Sequence, residues 1–391
     1  MPLINRCGGG GGTPQLCGQV ENFKVLPGTT ALTAVLSWTA PSPDEDNSFV
    51  GARIVRKTGS APTGINDGMV VYEGTALTYT DTGLTAGTTY YYRAFAYNAK
   101  KKYQTSKRTV SIVGSNLTIG ATLEDSTWAQ IKGISDAGLA ASLWSVGDTK
   151  SIVINGTINS YDNGTYTRKI NNVVIDAFIL GFNHNAAIEG ANRIHFHLGK
   201  QGGKQVGLST YSSTISGSSG DFSMGGGYQG AWATCLMRTD ILGSDKTNAS
   251  PGTNTLLSTL PSDLRAVMKT CVKYTVDKGS TVSNKTEILP LLALVECFGN
   301  SASTAGVAGN YQKQYDYYKA GNSVQHYIND GGSISYGPYG TVRIYTQDMY
   351  VRDSSSQESD WYYYWYKIDY NGEGGSDGGS NNSCLAPIFF V

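Results

Sequence analysis

Charge is scarce in this 391-residue sequence: Asp, Glu, Lys and Arg make up 15% of it, against about 25% in ordinary globular proteins. The 30 basic and 30 acidic residues cancel, so no field of one sign exists to draw in nucleic acid or an anionic membrane. No apolar run approaches the roughly 18 residues of a spanning helix. The opening MPLINRCGGGGG lacks the apolar stretch of a secretory leader, so synthesis in a cytoplasm without membrane insertion is expected. Cysteines at 7, 17, 235, 271, 297 and 384 form no CxxC pair and no short Cys/His cluster. Scattered thiols of this kind read as reduced core residues, and a bridge between Cys7 and Cys17 stays open as an alternative.

Signatures of catalysis are also missing. There is no nucleophile elbow, and GGGYQG lacks the lysine and the strand-to-helix setting of a phosphate loop. The carboxylate pairs Asp44/Asp46 and Glu358/Asp360 lie in polar loops. Histidine is limited to His184, His195, His197 and His326. In HFH, His195 and His197 share one strand face at a spacing that can bind metal, but no third ligand is near in sequence, and a half-exposed strand is the simpler reading. No enzyme, metal site or cofactor is therefore expected. Asn-x-Ser/Thr sequons such as those at 116, 155, 163, 248 and 284 carry no weight without a leader.

Glycine and tyrosine are abundant, at 49 and 26 residues. Residues 1–20 are too glycine-rich to build a core, since glycine has no side chain to bury and is costly to order. Such an arm is either mobile or ordered by packing along a neighbour in an assembly. From 21 to 114 the chain alternates apolar and polar residues in short runs, AVLSWTAP, GARIVRK, MVVYEG and TYYYRAFAYNA, as an all-β sandwich does. Trp38, and the run Leu84, Gly87, Thr88, Tyr90, resemble the strand-B tryptophan and the tyrosine corner of a fibronectin type III domain. That resemblance places Tyr90, Tyr92, Ala94 and Ala96 inward and Tyr91, Arg93, Phe95 and Tyr97 outward, and implies a spacer.

Residues 117–391 mix helix and strand signals. Asp125 and Ser126 precede Trp128, Ile131 and Ile134 at helical spacing, which predicts a helix or helix pair up to Gly147. A second helix is expected over LPSDLRAVMKTCVKYTVD, with Ser262 as N-cap and Leu264, Val267, Met268 and Cys271 on one face. SIVINGTI and NNVVIDAFILGFNHN read as strands, and EILPLLALVECFG as a buried strand turning into a short helix. The segments LWSVGDTKSIVINGT, FILGFNHN, AWATCLMRTDIL, LPSDLRAVMK, LLALVECFG and YDYYKAGNS resemble, in order, a domain of unassigned chemistry common in tailed phages and Firmicutes. Its closing strands are similar to those of C-type-lectin-like folds, which implies an α+β recognition domain. Where that family has WWLRSP, this chain has MYVRDS with Arg352 kept. Where it closes with GVAPAF, this chain has CLAPIF, keeping Ala386, Pro387 and Phe389. The expected whole is a multidomain chain: a glycine-rich arm (1–20), a fibronectin type III-like sandwich (21–114) and an α+β C-type-lectin-like domain (117–391).

Between those two motifs lies WYYYWYKIDYNGEGGSDGGSNNS. On a strand, Trp361, Tyr363 and Trp365 point one way and Tyr362, Tyr364 and Tyr366 the other, so one face can be core while the other meets solvent or a partner. Tyr and Trp give rigid contact area, and Ser, Gly, Asn and Asp give adaptable hydrogen bonding, the mixture found in antibody loops. The expected receptor-binding residues are Tyr350, Trp361, Tyr362, Tyr363, Tyr364, Trp365, Tyr366, Tyr370, Asn371, Asp377, Asn381 and Asn382. The same mixture is expected in a region diversified by a retroelement; rings packed between subunits or against the domain are the alternative.

These signals together suggest a phage tail protein, made in the host cytoplasm and carried in the virion. It would bind a host cell-surface glycan or protein, attach to other tail proteins through its arm, and form a homo-oligomer, with a trimer preferred. A bacterial surface adhesin and a glycan-active enzyme are the alternatives.

Overall fold

Runs of Val, Ile, Tyr and Thr alternating with polar residues dominate both halves of the chain, and the molecule is accordingly mostly β. The computed structural model describes residues 17–41, 49–105, 108–161, 165–208, 231–276, 282–299, 311–329, 341–342, 344–351, 363–368, 373–378 and 384–391. The chain divides into two compact units, Met1–Ile119 and Gly120–Val391. Among the described residues no helix is long and apolar enough to cross a membrane.

The first unit holds β1 (Glu21–Pro27), β2 (Ala34–Thr39), β3 (Phe49–Thr58), β4 (Met69–Gly74), β5 (Thr78–Asp81), β6 (Thr89–Asn98) and β7 (Thr109–Val113). They form two antiparallel sheets, ordered β1-β2-β5 and β4-β3-β6-β7. Between them lie Leu36 and Trp38 of β2, Ala52 and Ile54 of β3, and Tyr90, Tyr92, Ala94 and Ala96 of β6. Trp38 is buried, its ring meeting Phe23 at 6.1 Å and Tyr72 at 5.5 Å. The Tyr90 hydroxyl accepts the Thr85 backbone N–H at 3.0 Å, five residues upstream. That bond is the tyrosine corner of immunoglobulin-like sandwiches, which pins the crossing between sheets to the start of β6.

The inward set on β6 is therefore as the alternation requires, but the other face is not open. Phe95 and Tyr97 are buried too. The Arg93 guanidinium lies 5.1 Å from the Phe95 ring and donates to the carbonyls of Pro62, Thr63 and Thr105. The Lys101 ammonium sits 3.7 Å over the Tyr97 ring, and Tyr103 packs against that ring's edge. Flanking loops thus cap a face that alternation alone assigns to solvent.

The second unit contains β8 (Thr149–Tyr161), β9 (Thr165–Phe182), β10 (Ile194–Gln201), β11 (Lys204–Leu208), β12 (Cys271–Val276), β13 (Val282–Glu287), β14 (His326–Asn329), β15 (Thr341–Val342), β16 (Ile344–Val351), β17 (Tyr363–Ile368), β18 (Gly374–Gly378) and β19 (Ile388–Phe390). Short helices intervene: α1 (Trp128–Asp136), α2 (Ala140–Leu143), α3 (Ala186–Glu189), α4 (Ala231–Thr234), α5 (Leu256–Thr259), α6 (Ser262–Arg265), α7 (Leu294–Phe298) and α8 (Asp316–Lys319). Met237–Leu242 forms a π-helical turn.

Strand β10 is the axis of this unit. It pairs with β9 along one edge; on the other, β19 covers residues 195–197 and β11 covers residues 200–201. Ile194 and Val391 exchange both backbone hydrogen bonds, at 2.9 and 3.1 Å. Gly199 sits at the register break between Leu198 and Lys200 with φ +149°, and a Cβ there would lie 2.3 Å from the Val206 carbonyl, so only glycine permits the two strands to meet.

The first helix signal is realised as α1 followed by α2, with Thr127 rather than Asp125 or Ser126 as N-cap. Thr127 Oγ1 accepts from Gln130 N and Gln130 Oε1 from Thr127 N, a reciprocal capping box. The second helix signal is overturned. Only Ser262–Arg265 is helical, Pro261 stands at the N-cap, and Cys271–Val276 is strand β12, paired with β13 over six residues. Leu264, Val267, Met268 and Cys271 are all buried, but β-branched Thr270, Val272, Thr275 and Val276 take the strand once a partner is present. Residues 288–293 are buried yet outside any strand, with one isolated bridge from Leu291 to Pro387, and α7 follows as expected.

If the tyrosine corner holds the sandwich as described, Tyr90→Phe should keep the fold and lower the stability of the first unit by about 1 kcal/mol, the usual worth of one such bond. Urea unfolding followed by tryptophan fluorescence would read it.

Candidate functional site

The aromatic run lies on a three-stranded antiparallel sheet of order β16-β17-β18. Tyr363, Tyr364, Trp365 and Tyr366 all belong to β17, the middle strand. Tyr350 stands in β16 directly opposite Tyr364, and Asp377 in β18 directly opposite Trp365. Met349, Trp365 and Asp377 therefore form one row across the sheet, and Tyr350, Tyr364 and Gly378 the next. Trp361, Tyr362, Tyr370, Asn371, Asn381, Asn382 and Arg352 lie outside the described residues.

Ile368 orients this sheet. It is fully buried, in a cluster with Phe178, Leu180, Tyr315, Cys384, Ile388 and Phe390. Successive residues of a strand alternate faces, so positions 364 and 366 share the face of Ile368, while 363, 365 and 367 fall on the opposite one. Residues 384–391, the CLAPIFFV stretch, are buried throughout. Ala386, Pro387 and Phe389 are therefore packing residues.

A second constellation, unseen in the sequence, gathers beneath that cluster. Lys273 of β12 is fully buried and donates to Glu189 Oε1 of α3 at 2.7 Å, to Glu296 Oε1 of α7, and to the Tyr315 hydroxyl at 3.2 Å. Glu296 Oε2 accepts the Ala293 backbone N–H at 2.8 Å. His195 Nδ1 lies 3.0 Å from the Tyr315 hydroxyl, and the His184 ring stacks on Tyr315 at 3.8 Å. Glu189 Oε2, His184 Nε2 and His195 Nε2 are buried without a hydrogen-bond partner.

Burial pushes the Glu189 carboxyl up to about 7, against the pull of the Lys273 ammonium. The same burial acts to lower Lys273, but the two carboxylates more than offset it and hold the lysine above its usual range. Lys273 is the charged member we assign, since each carboxylate stabilises the ammonium, and Glu189, raised to about 7, is the carboxyl that exchanges a proton near neutral pH. The ligand atoms of His184, Glu189 and Glu296 lie within 4.8 Å of one another, a spacing fit for a cation, but the ammonium already sits against both carboxylates.

The histidines of HFH are both fully buried, which corrects the half-exposed strand. The Trp128 ring of α1 packs on Phe196 on one face of β10, and Tyr315, Phe178 and His326 meet His195 and His197 on the other, so β10 has no wet face at this point. His195 joins the charged centre; His197 stacks on Phe178 and faces His326, Nε2 to Nε2 at 3.4 Å. His326 Nδ1 is 2.8 Å from the Val324 carbonyl, so that nitrogen holds the proton and His326 Nε2 must accept. His197 then donates from Nε2, which leaves its Nδ1 an acceptor, buried without a partner. The five described cysteines are all buried.

The charged centre could be anticipated only in part. Glu189, Lys273, Glu296 and Tyr315 come from four elements far apart in sequence, and Lys273 within CVKYTV reads as the polar half of an alternating strand. HFH inside a strand was the one visible clue.

No family model matches the chain, and no curated protein matches it. Solved structures do. A computationally redesigned β-sandwich protein is 24% identical, over 26% of this chain and 92% of its own, at a TM-score of 0.21. The human KIAA0970 fibronectin type III domain is 18% identical over 28% of this chain and 85% of its own, at 0.22. The FN5 domain of Drosophila Lar is 16% identical over 25% of this chain and 97% of its own, at 0.18.

Burial holds His326 neutral, its pKa lowered to about 4 from 6.5. A base depressed on folding contributes stability in full above its unfolded value of about 6.5, and that contribution is lost as pH falls toward 4. His326→Asn should therefore flatten the acid limb of stability by about 1.4 kcal/mol per pH unit between those values. Urea midpoints and slopes for both proteins from pH 7 to 4.5 would show it; equal slopes would contradict a neutral buried His326.

Proposed function

We propose that this protein is a recognition component of a phage tail, and that β17 with its neighbours is the surface that grips a host cell-surface glycan or protein. The observation that supports the reading best is the anchoring of one face of an aromatic strand by Ile368, next to a strand of sequence GGSDG. Glycine and serine in β18 place little bulk beside the rings and leave backbone amides and carbonyls free to meet polar groups of a ligand. Rings at 363 and 365, on the face opposite Ile368, are the contact set, and stacking on a sugar or on side chains of a receptor is the mode such rings suit.

In the same reading the fibronectin type III-like unit is a spacer, residues 1–20 attach to other tail proteins, and the closing domain is of the C-type-lectin-like kind. Several copies, three in the preferred arrangement, act together, so that weak single contacts sum by avidity to gains of about 10² to 10⁴. The protein acts in the virion, without enzyme activity or cofactor, and the segment 349–383 is a region in which receptor variants accumulate.

The test compares two triple variants of the full chain. Changing Trp361, Tyr363 and Trp365 to Ala should leave the melting temperature near wild type and reduce adsorption to host cells by about tenfold or more, the loss of one interface hot spot. Changing Tyr362, Tyr364 and Tyr366 to Ala should instead destabilise the domain by about 3 kcal/mol or more, as aromatic core truncations do. Equal loss of stability in both would count against an open ring surface.

A further inference from the structure

The buried charged centre contains everything required for a self-made covalent cross-link, and we propose that Lys273 and Glu296 condense to a γ-glutamyl-lysine amide with Glu189 as the proton carrier. Lysine and acceptor are already in contact: Lys273 Nζ donates to Glu296 Oε1. The acceptor's other oxygen, Oε2, is held by the Ala293 backbone N–H at 2.8 Å, a donor placed where negative charge develops when nitrogen adds to the carboxyl carbon. Glu189 Oε1 lies 2.7 Å from Nζ, within reach of the protons that must leave it. The Tyr315 hydroxyl, 3.2 Å from Nζ, is a further polar contact on the nitrogen.

The balance is simple. The ammonium gives one proton to Glu189; the amine lone pair forms a bond to the Glu296 carboxyl carbon; the bond from that carbon to Oε1 breaks. Oε1 leaves as water, taking two protons that began on the lysine, one of them passed through Glu189, which ends as it started. One nitrogen–carbon bond is made, one carbon–oxygen bond is lost, and nothing is oxidised or reduced.

Surroundings decide the direction. In water an ammonium and a carboxylate are well solvated and the amide is not favoured. Here Lys273, Glu189 and Glu296 are all within 2% of full burial, against the rings of Tyr315 at 5.4 Å and Phe390 at 5.8 Å from Nζ. Holding two anions and a cation in so dry a place costs several kcal/mol per ion before their attraction is counted. Condensation removes one ion of each sign. Glu189, whose carboxyl is pushed up to about 7 by burial, can accept and return a proton near neutral pH. The released water also has somewhere to bind: Glu189 Oε2, His184 Nε2 and His195 Nε2 are buried beside the centre without partners. The product would bolt β12 to α7, and through α7 to the core on which β17 is anchored.

Mass spectrometry of the intact, purified full chain tests this directly. The bonded protein is lighter than its sequence by one water, and trypsin fails to cut after Lys273, leaving a branched peptide that joins Lys273 to Glu296. Glu189→Gln should keep the full sequence mass. A wild-type chain at full mass with normal cleavage after Lys273 would overturn the proposal and leave an ion triad. So would a lost water mapped to any other residue. A bond formed as readily in the Glu189→Gln chain would overturn the role given to Glu189.

Discussion

The seating of β19 against β10 is the contact on which the second unit depends. Residues directly opposite in an antiparallel pair share a face, so the register His195↔Phe390, Phe196↔Phe389 and His197↔Ile388 assigns every ring. On one side Phe389 stacks on Phe196 at 5.2 Å, and Trp128 of α1 closes over both. On the other, Phe390 and Ile388 enter the cluster that also holds Phe178, Tyr315 and Ile368. A slip of one residue would exchange the two sides and put His195 and His197 under the helix. The bonds between Ile194 and Val391, and from Ser135 Oγ to the Val391 carbonyl at 2.6 Å, fix the register from the far end.

Two buried carboxylate centres in this unit follow different logic. Glu287 accepts from Trp232 Nε1 at 3.0 Å, Arg238 Nε at 2.8 Å and the Ser244 hydroxyl at 2.5 Å. One anion there meets one cation and two neutral donors, which is how a buried charge is kept at small cost. The Lys273 centre instead has two carboxylates for one ammonium, and Glu189 Oε2, His184 Nε2 and His195 Nε2 beside it make no hydrogen bond, with Glu189 Oε2 3.7 Å from His195 Nδ1. An arrangement built only for stability would not leave these groups unmatched, because each unpaired buried atom costs about 1 to 3 kcal/mol. Such an imbalance marks places where chemistry outweighs packing.

What could be read from the sequence follows from how local each signal is. Trp38 and Tyr90 were legible through the resemblance to a fibronectin type III domain, whose tryptophan and corner tyrosine are fixed by short local motifs. Thr127 as N-cap was missed by one or two positions, since Asp125, Ser126 and Thr127 are all good caps and only the Gln130 contact chooses among them. The helix expected over 260–277 failed for a different reason. Its apolar residues Leu264, Val267, Met268 and Cys271 suit a helix face, but β13 offers Cys271–Val276 six paired residues, and tertiary pairing overrides a weak helical preference. The outward face of β6 and the HFH strand share one error, that alternation was taken to mean one wet face, when loops cover that face of β6 and packed rings cover both faces of β10.

That residues 363–366 form a strand was legible from their aromatic composition, but which of its faces is turned inward was not. Sequence alternation separates 361, 363 and 365 from 362, 364 and 366 and cannot say which set is core. One buried residue is the reference point for the strand: Ile368, two residues beyond Tyr366, lies in the cluster with Ile388 and Phe390. Since parity is conserved along an unbroken strand, and β17 pairs without a register break to β18 from Tyr364 to Ile368, positions 364 and 366 inherit its side. The glycines opposite, at 374, 375 and 378, add no side chains of their own to either face. Parity along β17 is thus counted from Ile368, whose burial with Ile388 and Phe390 is the fixed point of the strand.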